Sequence, residues 1–337
     1  GFSPLDSLSQ LAKKNGIKPS YRFKLEDIAR AEVIFLTGTE LPISHPILWL
    51  EVLKAVRRGA KLVVASPIDQ TGNRHASLWL PIKQGSEDLL FQYLARSVLD
   101  RGKTGGQDLE GFISFRRALK KLDLSKASEE IGIDEQTLSH AAEVLAQGKS
   151  CIIAGIELTQ ISRESRNMAA LWNLSLLCKS QLIPLGMESN GRGIFELSRN
   201  ESRGAKLLPE IIRDAKDGKI KALYVIGSYP FDQKVKAEFL VVQDSFFSDA
   251  AGRADVVLPA ATFAETDGTM VNVEGKLQKF TKVIQPLGES KPDWWILSQL
   301  AKKMRKQGFD YKKSKDILKE LKIAVPGFAK TKTKDLD

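Results

Sequence analysis

The side chains best suited to hold a metal or attack a substrate are few and scattered. His45, His75 and His140 stand far apart, with no HExxH spacing and no Cys/His cluster. A metal site built from this chain alone is therefore not expected. Cys151 and Cys178 each lie among apolar residues, in SCII and SLLCK. Two distant cysteines fit buried free thiols in a reducing compartment better than a disulfide, and an iron–sulfur cluster takes about four thiolates. The familiar nucleotide and hydrolase signatures fail too. No GxGxxG follows a strand and there is no GxSxG. GKT at 102–104 lacks the first glycine of a P-loop, because Ser97 stands there.

What remains is a repeated design at the ends of apolar strands. VIFLTGTELP, IIAGIELTQ and LYVIGSYP each run from a strand into Gly38, Gly155 or Gly227 and then a polar turn. In open α/β sheets ligands lie at the carboxyl ends of the strands, and glycine there lets a ligand or another backbone come close. A tight βα turn would explain each glycine equally well.

The elements that would position these turns follow a strand–helix rhythm. Strands are expected at 33–38, 61–67, 77–82, 150–155, 181–186, 222–227, 239–244 and 255–260, with the first and the last three reading as buried. Helices are expected at 46–59, 87–100, 133–148, 166–178, 207–218 and 293–306. In the first helix Ile47, Leu50, Val52, Leu53 and Val56 are expected on the core face, with Gly59 as its stop. Asp134 reads as an N-cap and Gly148 as a stop. Alternating strands and helices imply parallel pairing with right-handed crossovers. The fold class is α/β: two doubly wound, Rossmann-like domains with mainly parallel sheets.

The chain has 337 residues and a formal charge of +10. Twelve Lys/Arg against five Asp/Glu place +7 of that after Ala301, so the rest carries only +3. The basic character belongs to the C-terminal end, which is expected to be solvated or to meet an acidic partner. It holds few aromatics to stack bases, so nucleic acid is not expected. One segment, 312–325, reads as a short amphipathic helix with Ile317, Leu318, Leu321 and Val325 on one face. No apolar run approaches the ~20 residues of a membrane helix, and no signal peptide is visible at Gly1.

Residues 241–280, VVQDSFFSDAAGRADVVLPAATFAETDGTMVNVEGKLQKF, carry a dense resemblance to the molybdopterin oxidoreductases. That family includes formate dehydrogenases, nitrate reductases and the large iron–sulfur subunit of respiratory complex I. PLGESKPDWWILSQLAKKM (286–304), ALYVIGSYP, the segment from GTELP to VVASP, and CIIAGIELTQ extend the resemblance over most of residues 28–306. It implies two Rossmann-like domains that clamp a long pterin–guanine dinucleotide. The boundaries expected are an N-terminal segment 1–27, domains at 28–197 and 198–308, and a basic tail at 309–337. The turns that would face the dinucleotide hold Gly38, Thr39, Ser66, Gly85, Gly155, Gln160, Gly227, Ser228, Gln243 and Asp244.

The resemblance also has departures. Gly1 would fall after the family's cluster-binding module. The metal-ligating Cys or selenocysteine would align near Phe2, Ser3, Pro4 and Leu5, where no thiol stands. Ser66, Pro67 and Ile68 replace the family's Asp-Pro-Arg. Gly85, Ser86 and Glu87 replace its GTD turn. Glu40 and Leu41 replace Asn and Pro, and Gly186 stands where formate dehydrogenases have Arg. A carboxylate at Glu40 would repel phosphates, whereas Arg192 or Arg253 would restore positive charge.

The expectation is thus a structural part of an electron-transfer complex, of the complex I large-subunit type, with no cofactor in this chain. The alternative is part of a formate-dehydrogenase-like subunit that binds a molybdopterin guanine dinucleotide. A stand-alone nucleotide binder is a third reading. No catalytic residue is visible, and any iron–sulfur clusters would sit in other regions or subunits. Partners would be other subunits of the complex. The location would be cytoplasmic, touching the inner membrane only through that complex.

Overall fold

The computed structural model describes residues 23–102, 105–160, 164–186, 189–198, 208–227 and 237–325, with a few isolated residues before 23 and Phe328. The chain divides into two compact units, Gly1–Gly191 and Arg192–Asp337.

The first unit is built on five parallel strands. These are β1 (Val33–Thr37), β2 (Lys61–Ala65), β3 (Leu78–Leu80), β4 (Ser150–Ala154) and β5 (Gln181–Pro184), in the order β3-β2-β1-β4-β5. β1 and β4 are buried along their whole length, as a central strand covered on both faces must be. Thr37 pairs with Ala65 on one side and Ala154 on the other. The order reverses between β1 and β4, and that switch point is where an open parallel sheet leaves a crevice.

Helices cover the sheet. Asp134 caps the helix Glu135–Ala146 by accepting from the Thr137 N–H at 2.8 Å. The helix Pro46–Arg57 starts with proline at its first position and ends before Gly59, at φ +96°. Its core face is Leu48, Trp49, Val52 and Ala55. This corrects the expected face: Ile47 and Leu50 are 62% and 52% exposed. Apolar residues ring most of this helix, so two stripes compete, and the one with bulky Trp49 turns inward. Two helices, Phe112–Lys120 and Leu124–Ile131, were not expected. The second has an Asp123 cap and a left-handed Gly132 stop.

The second unit holds three parallel strands, β6 (Ala222–Ile226), β7 (Phe239–Asp244) and β8 (Val256–Pro259), in that order. An antiparallel hairpin, β9 (Gly268–Val271) with β10 (Leu277–Phe280), follows. The expectation that all three strands are buried needs correction. Only β7 is largely buried, and β6 alternates exposed and half-buried. Leu223 and Val225 pack toward Leu240, Val242, Ala250 and Ala251. Tyr224 and Ile226 point the other way and are 37% and 50% exposed. Two of three strands are edges, and among the described residues one face is left without a full layer above it. The helix Ser314–Ala324 seats Leu318, Leu321 and nearby Val325 on Val271 and Leu277 of the hairpin.

Candidate functional site

The carboxyl edge of the first unit's sheet brings most of the expected residues together. Gly38 follows β1 at φ +68°, a left-handed value that suits glycine. Gly155 follows β4. A Cβ on Gly155 would lie 2.1 Å from the Gly38 carbonyl oxygen and 2.2 Å from the Thr39 Cβ. A Cβ on Gly38 would lie 2.5 Å from the Leu158 Cγ. These two turns therefore cross at van der Waals contact and close the floor of the switch point. The close approach is of one backbone on the other.

Around that floor the polar groups are unevenly served. Thr39 is buried, and its hydroxyl shares a 2.8 Å hydrogen bond with Ser44. Ser44 also meets His45 Nδ1 at 3.0 Å, and burial holds the His45 pKa down, favouring the neutral ring. Ser66 is already engaged: its hydroxyl donates to the Ile68 carbonyl at 2.7 Å and accepts from the Trp79 indole at 3.1 Å. Gln160 ends the short helix Glu157–Gln160. Gly85, at φ +88°, has open space where a Cβ would go, and its N–H donates to Glu87 Oε1 at 3.2 Å.

Three carboxylates converge here. Glu157 has its pKa raised by burial first, then by the charges of Glu40 and Glu87. Glu40 accepts from the Thr71 N–H at 3.2 Å. Glu87 is 7% exposed, and its Oε2 is buried without a hydrogen-bond partner among the described residues. The Thr37 hydroxyl and the Asn167 Oδ1 are orphaned in the same way, although Asn167 Nδ2 donates to the Leu158 carbonyl at 3.1 Å. Buried acceptors without donors cost about 1–3 kcal/mol each, so such a group calls for a partner. Sequence reading did not single out Thr37, Glu157 or Asn167. Asn167 carried no signal of its own, since its helix also holds Arg166, Asn173 and Ser175.

The second unit holds the remaining expected residues. Gly227 follows β6 at φ +82° with open space at its Cβ position, and its N–H donates to the Gln243 carbonyl at 2.8 Å. Ser228 lies outside the described residues. Gln243 is fully buried, and both ends of its amide are taken. Tyr224 donates its hydroxyl to Gln243 Oε1, and Gln243 Nε2 donates to Asp293 Oδ1. Burial, and then the Asp293 charge, push the Tyr224 pKa up. The Asp244 carboxylate accepts from the Phe246 N–H at 3.2 Å. Gln243 thus ties β6 and β7 to the helix Asp293–Lys303.

No group of three or more His, Cys, Asp or Glu among the described residues has the geometry of a metal site. Burial pushes the Cys151 thiol up to about 12, far from a reactive thiolate. No helix among the described residues is long and apolar enough to cross a membrane.

Relatives and solved structures agree with this architecture. The chain is 28% identical to the F420-dependent formate dehydrogenase subunit alpha of Methanocaldococcus jannaschii, covering 90% of this chain and 52% of that protein. It is 24% identical to formate dehydrogenase H of Escherichia coli, covering 90% and 49%. It is 27% identical to the NADPH-Fe(3+) oxidoreductase subunit alpha of Geobacter sulfurreducens, covering 90% and 41%. The chain therefore spans about half, or less, of the length of these relatives. The acetylene hydratase of Pelobacter acetylenicus superposes with a TM-score of 0.71 at 17% identity, covering 86% of this chain and 50% of that one, which speaks to the fold. Residues 5–303 match the molybdopterin oxidoreductase family model, and the chain belongs to that family.

Proposed function

We propose that this chain is the dinucleotide-holding α/β part of a formate-dehydrogenase-type molybdopterin oxidoreductase. The observation that carries the reading is the set of buried, unsatisfied acceptors at the switch point: Glu87 Oε2, the Thr37 hydroxyl and Asn167 Oδ1. Acceptors of this kind fit a ligand edge rich in N–H donors, such as the guanine of a pterin–guanine dinucleotide. Glu87 occupies the position of the acidic residue in the family's GTD turn. Thr39, Ser66 and Gly85 would lie along the same edge. When bound, a molybdenum pterin supplies a two-electron redox centre. This chain's own residues would bind and orient its nucleotide arms. The names of the relatives support this reading over a complex I subunit.

One observation favours the other reading, a scaffold without cofactor. Glu40, Glu87 and Glu157 concentrate negative charge where a dinucleotide's phosphates would come. The Ser66 hydroxyl is also already committed to Trp79 and Ile68. On either reading the partners would be further subunits of an electron-transfer assembly in the cytoplasm, an acidic one meeting the basic end, whose residues beyond 325 lie, Phe328 apart, outside the described ones.

The test is to express the full chain in a host that makes the cofactor and analyse the purified protein. Acid release of guanine nucleotide, with the fluorescent oxidation product of a pterin, near one equivalent per chain is expected. Loss of both in Glu87→Ala would place the ligand at this edge. Absence of both from the folded wild-type chain would overturn the reading in favour of the scaffold.

A further inference from the structure

The helix Phe112–Lys120 presents two different faces. Leu119 is 3% exposed and Phe112 and Phe115 are half-buried, so this side lies on the body. Arg96, from the helix Glu87–Asp100, fixes its end by donating to the Leu119 carbonyl at 3.1 Å. The opposite side carries Ile113, 75% exposed, with Arg116, Arg117 and Lys120 exposed around it and Lys121 just beyond. Among the described residues none of these four cations forms an ion pair, whereas neighbouring Arg96 pairs with Asp100 at 2.6 Å. Arg116 and Lys120, like Arg117 and Lys121, stand four apart, where like charges repel. The helix dipole favours Arg117 and Lys120 in the last turn. It accounts for neither Arg116 nor an aliphatic side chain set among charges.

We propose that this outward face, Ile113 with Arg116, Arg117 and Lys120, is a docking surface for an acidic protein segment with an aliphatic anchor. Charge complementarity selects the partner. Two guanidinium forks suit carboxylates in two-point pairing, and Ile113 supplies the apolar contact at the centre of a polar rim. A single-stranded nucleic acid would stack its bases on exposed aromatics, yet Phe112 and Phe115 are half-buried. A membrane-surface helix would present several large apolar side chains, and this face has one. The inference stands apart from the dinucleotide edge and survives the failure of that reading.

The experiment uses the full chain and a labelled glutamate-rich peptide with one central leucine, followed by fluorescence anisotropy. Salt is varied from roughly 0.05 M to roughly 0.5 M, across which the Debye length shrinks about threefold. The expected result is saturable binding that weakens with salt. The Arg116→Gln/Arg117→Gln/Lys120→Gln variant should lose about tenfold in affinity, and Ile113→Ser about threefold at every salt level. Glutamine is a good helix former, so circular dichroism and melting should match wild type. A charge-matched control away from both basic surfaces, Lys61→Gln/Lys279→Gln/Lys291→Gln, removes three exposed lysines and should bind like wild type. Four outcomes would overturn the proposal: no peptide binding by wild type, equal binding by the helix variants, equal loss in the control, or preference for phosphatidylserine vesicles or a single-stranded oligonucleotide.

Discussion

Gly155 faces Gly38 across the switch point so closely that it has no room for a methyl group, while the Gly38 position is closed by the Leu158 side chain. A Cβ on Gly155 meets the Gly38 carbonyl oxygen at 2.1 Å, which is backbone and cannot swing aside. Gly155→Ala should therefore separate β1 from β4 and cost about 3 kcal/mol or more, as severe overpacking does. Gly85→Ala is the control, because its Cβ position is open and only the φ of +88° is strained. It should cost about 1 kcal/mol. Thermal melts of the two variants check the difference, and a Gly155→Ala protein as stable as wild type would refute the packing argument.

A second prediction concerns Glu157. Its folded pKa lies above its unfolded value because burial, Glu40 and Glu87 all disfavour the charged form. The sign follows: the folded state holds its proton more tightly, so that contribution to stability is complete below the unfolded pKa and is lost as pH rises through the folded one. Glu157→Gln keeps the shape and removes the charge. It should melt higher than wild type at pH 7, by about 2–4 °C for each kcal/mol relieved. The advantage should vanish in acid. The same charge opposes an anionic ligand, so guanine nucleotide affinity at this edge should rise as pH falls and lose that dependence in Glu157→Gln. A melting difference that is flat with pH would exclude the carboxylate cluster as its cause.

Much of this was legible in the sequence, and the failures have physical causes. β1, β2 and β4 are unbroken apolar runs between turn residues, and Asp134 sits where an N-cap must, so these elements announce themselves. The strand-end glycines were visible too, but a glycine for a ligand and a glycine for a neighbouring backbone look alike in sequence. Only the juxtaposition of Gly38 with Gly155 separates them. The face of Pro46–Arg57 was misread because Ile47 and Leu50 are as apolar as Leu48 and Val52, and period alone cannot choose between two stripes. The hairpin at 268–280 alternates weakly, and its inward Val271 and Leu277 are covered by a helix far along the chain. Thr37 and Asn167 became candidates through missing partners, a property of three-dimensional surroundings.

A third prediction follows from Gln243. Its amide has one possible orientation, since Tyr224 donates to Oε1 and Asp293 can only accept from Nε2 when ionised. Gln243→Leu leaves the Asp293 carboxylate and the Tyr224 hydroxyl without this partner and should cost about 1–3 kcal/mol. Gln243→Glu sets two carboxylates against each other and should lose further stability as pH rises from 4 to 7, a loss that roughly follows the ordinary carboxylate range. Denaturant titrations of these variants and of Tyr224→Phe, combined as a double-mutant cycle, measure the coupling. A coupling energy near zero between Tyr224 and Gln243 would show that the relay is not a unit.

The last prediction concerns the basic end. Leu318 is 7% exposed, and with Leu321 and Val325 it clusters with Val271 and Leu277 of the hairpin. Ile323, on the same helix, is 88% exposed. If the helix Ser314–Ala324 is held by its apolar face rather than by its own propensity, the two positions must respond differently. A helix of this length is marginal alone. Leu318→Ala should cost about 2–3 kcal/mol, near the lower end for a core leucine because the site lies close to the surface. Ile323→Ser should stay within about 0.5 kcal/mol of wild type. Hydrogen exchange adds a readout that a global effect would not give. In Leu318→Ala, amides of the helix and of β9 and β10 should exchange faster together, while those of β1 and β4 keep their protection. Helix amides that exchange freely in the wild-type chain would show that the basic end is not docked on the hairpin at all.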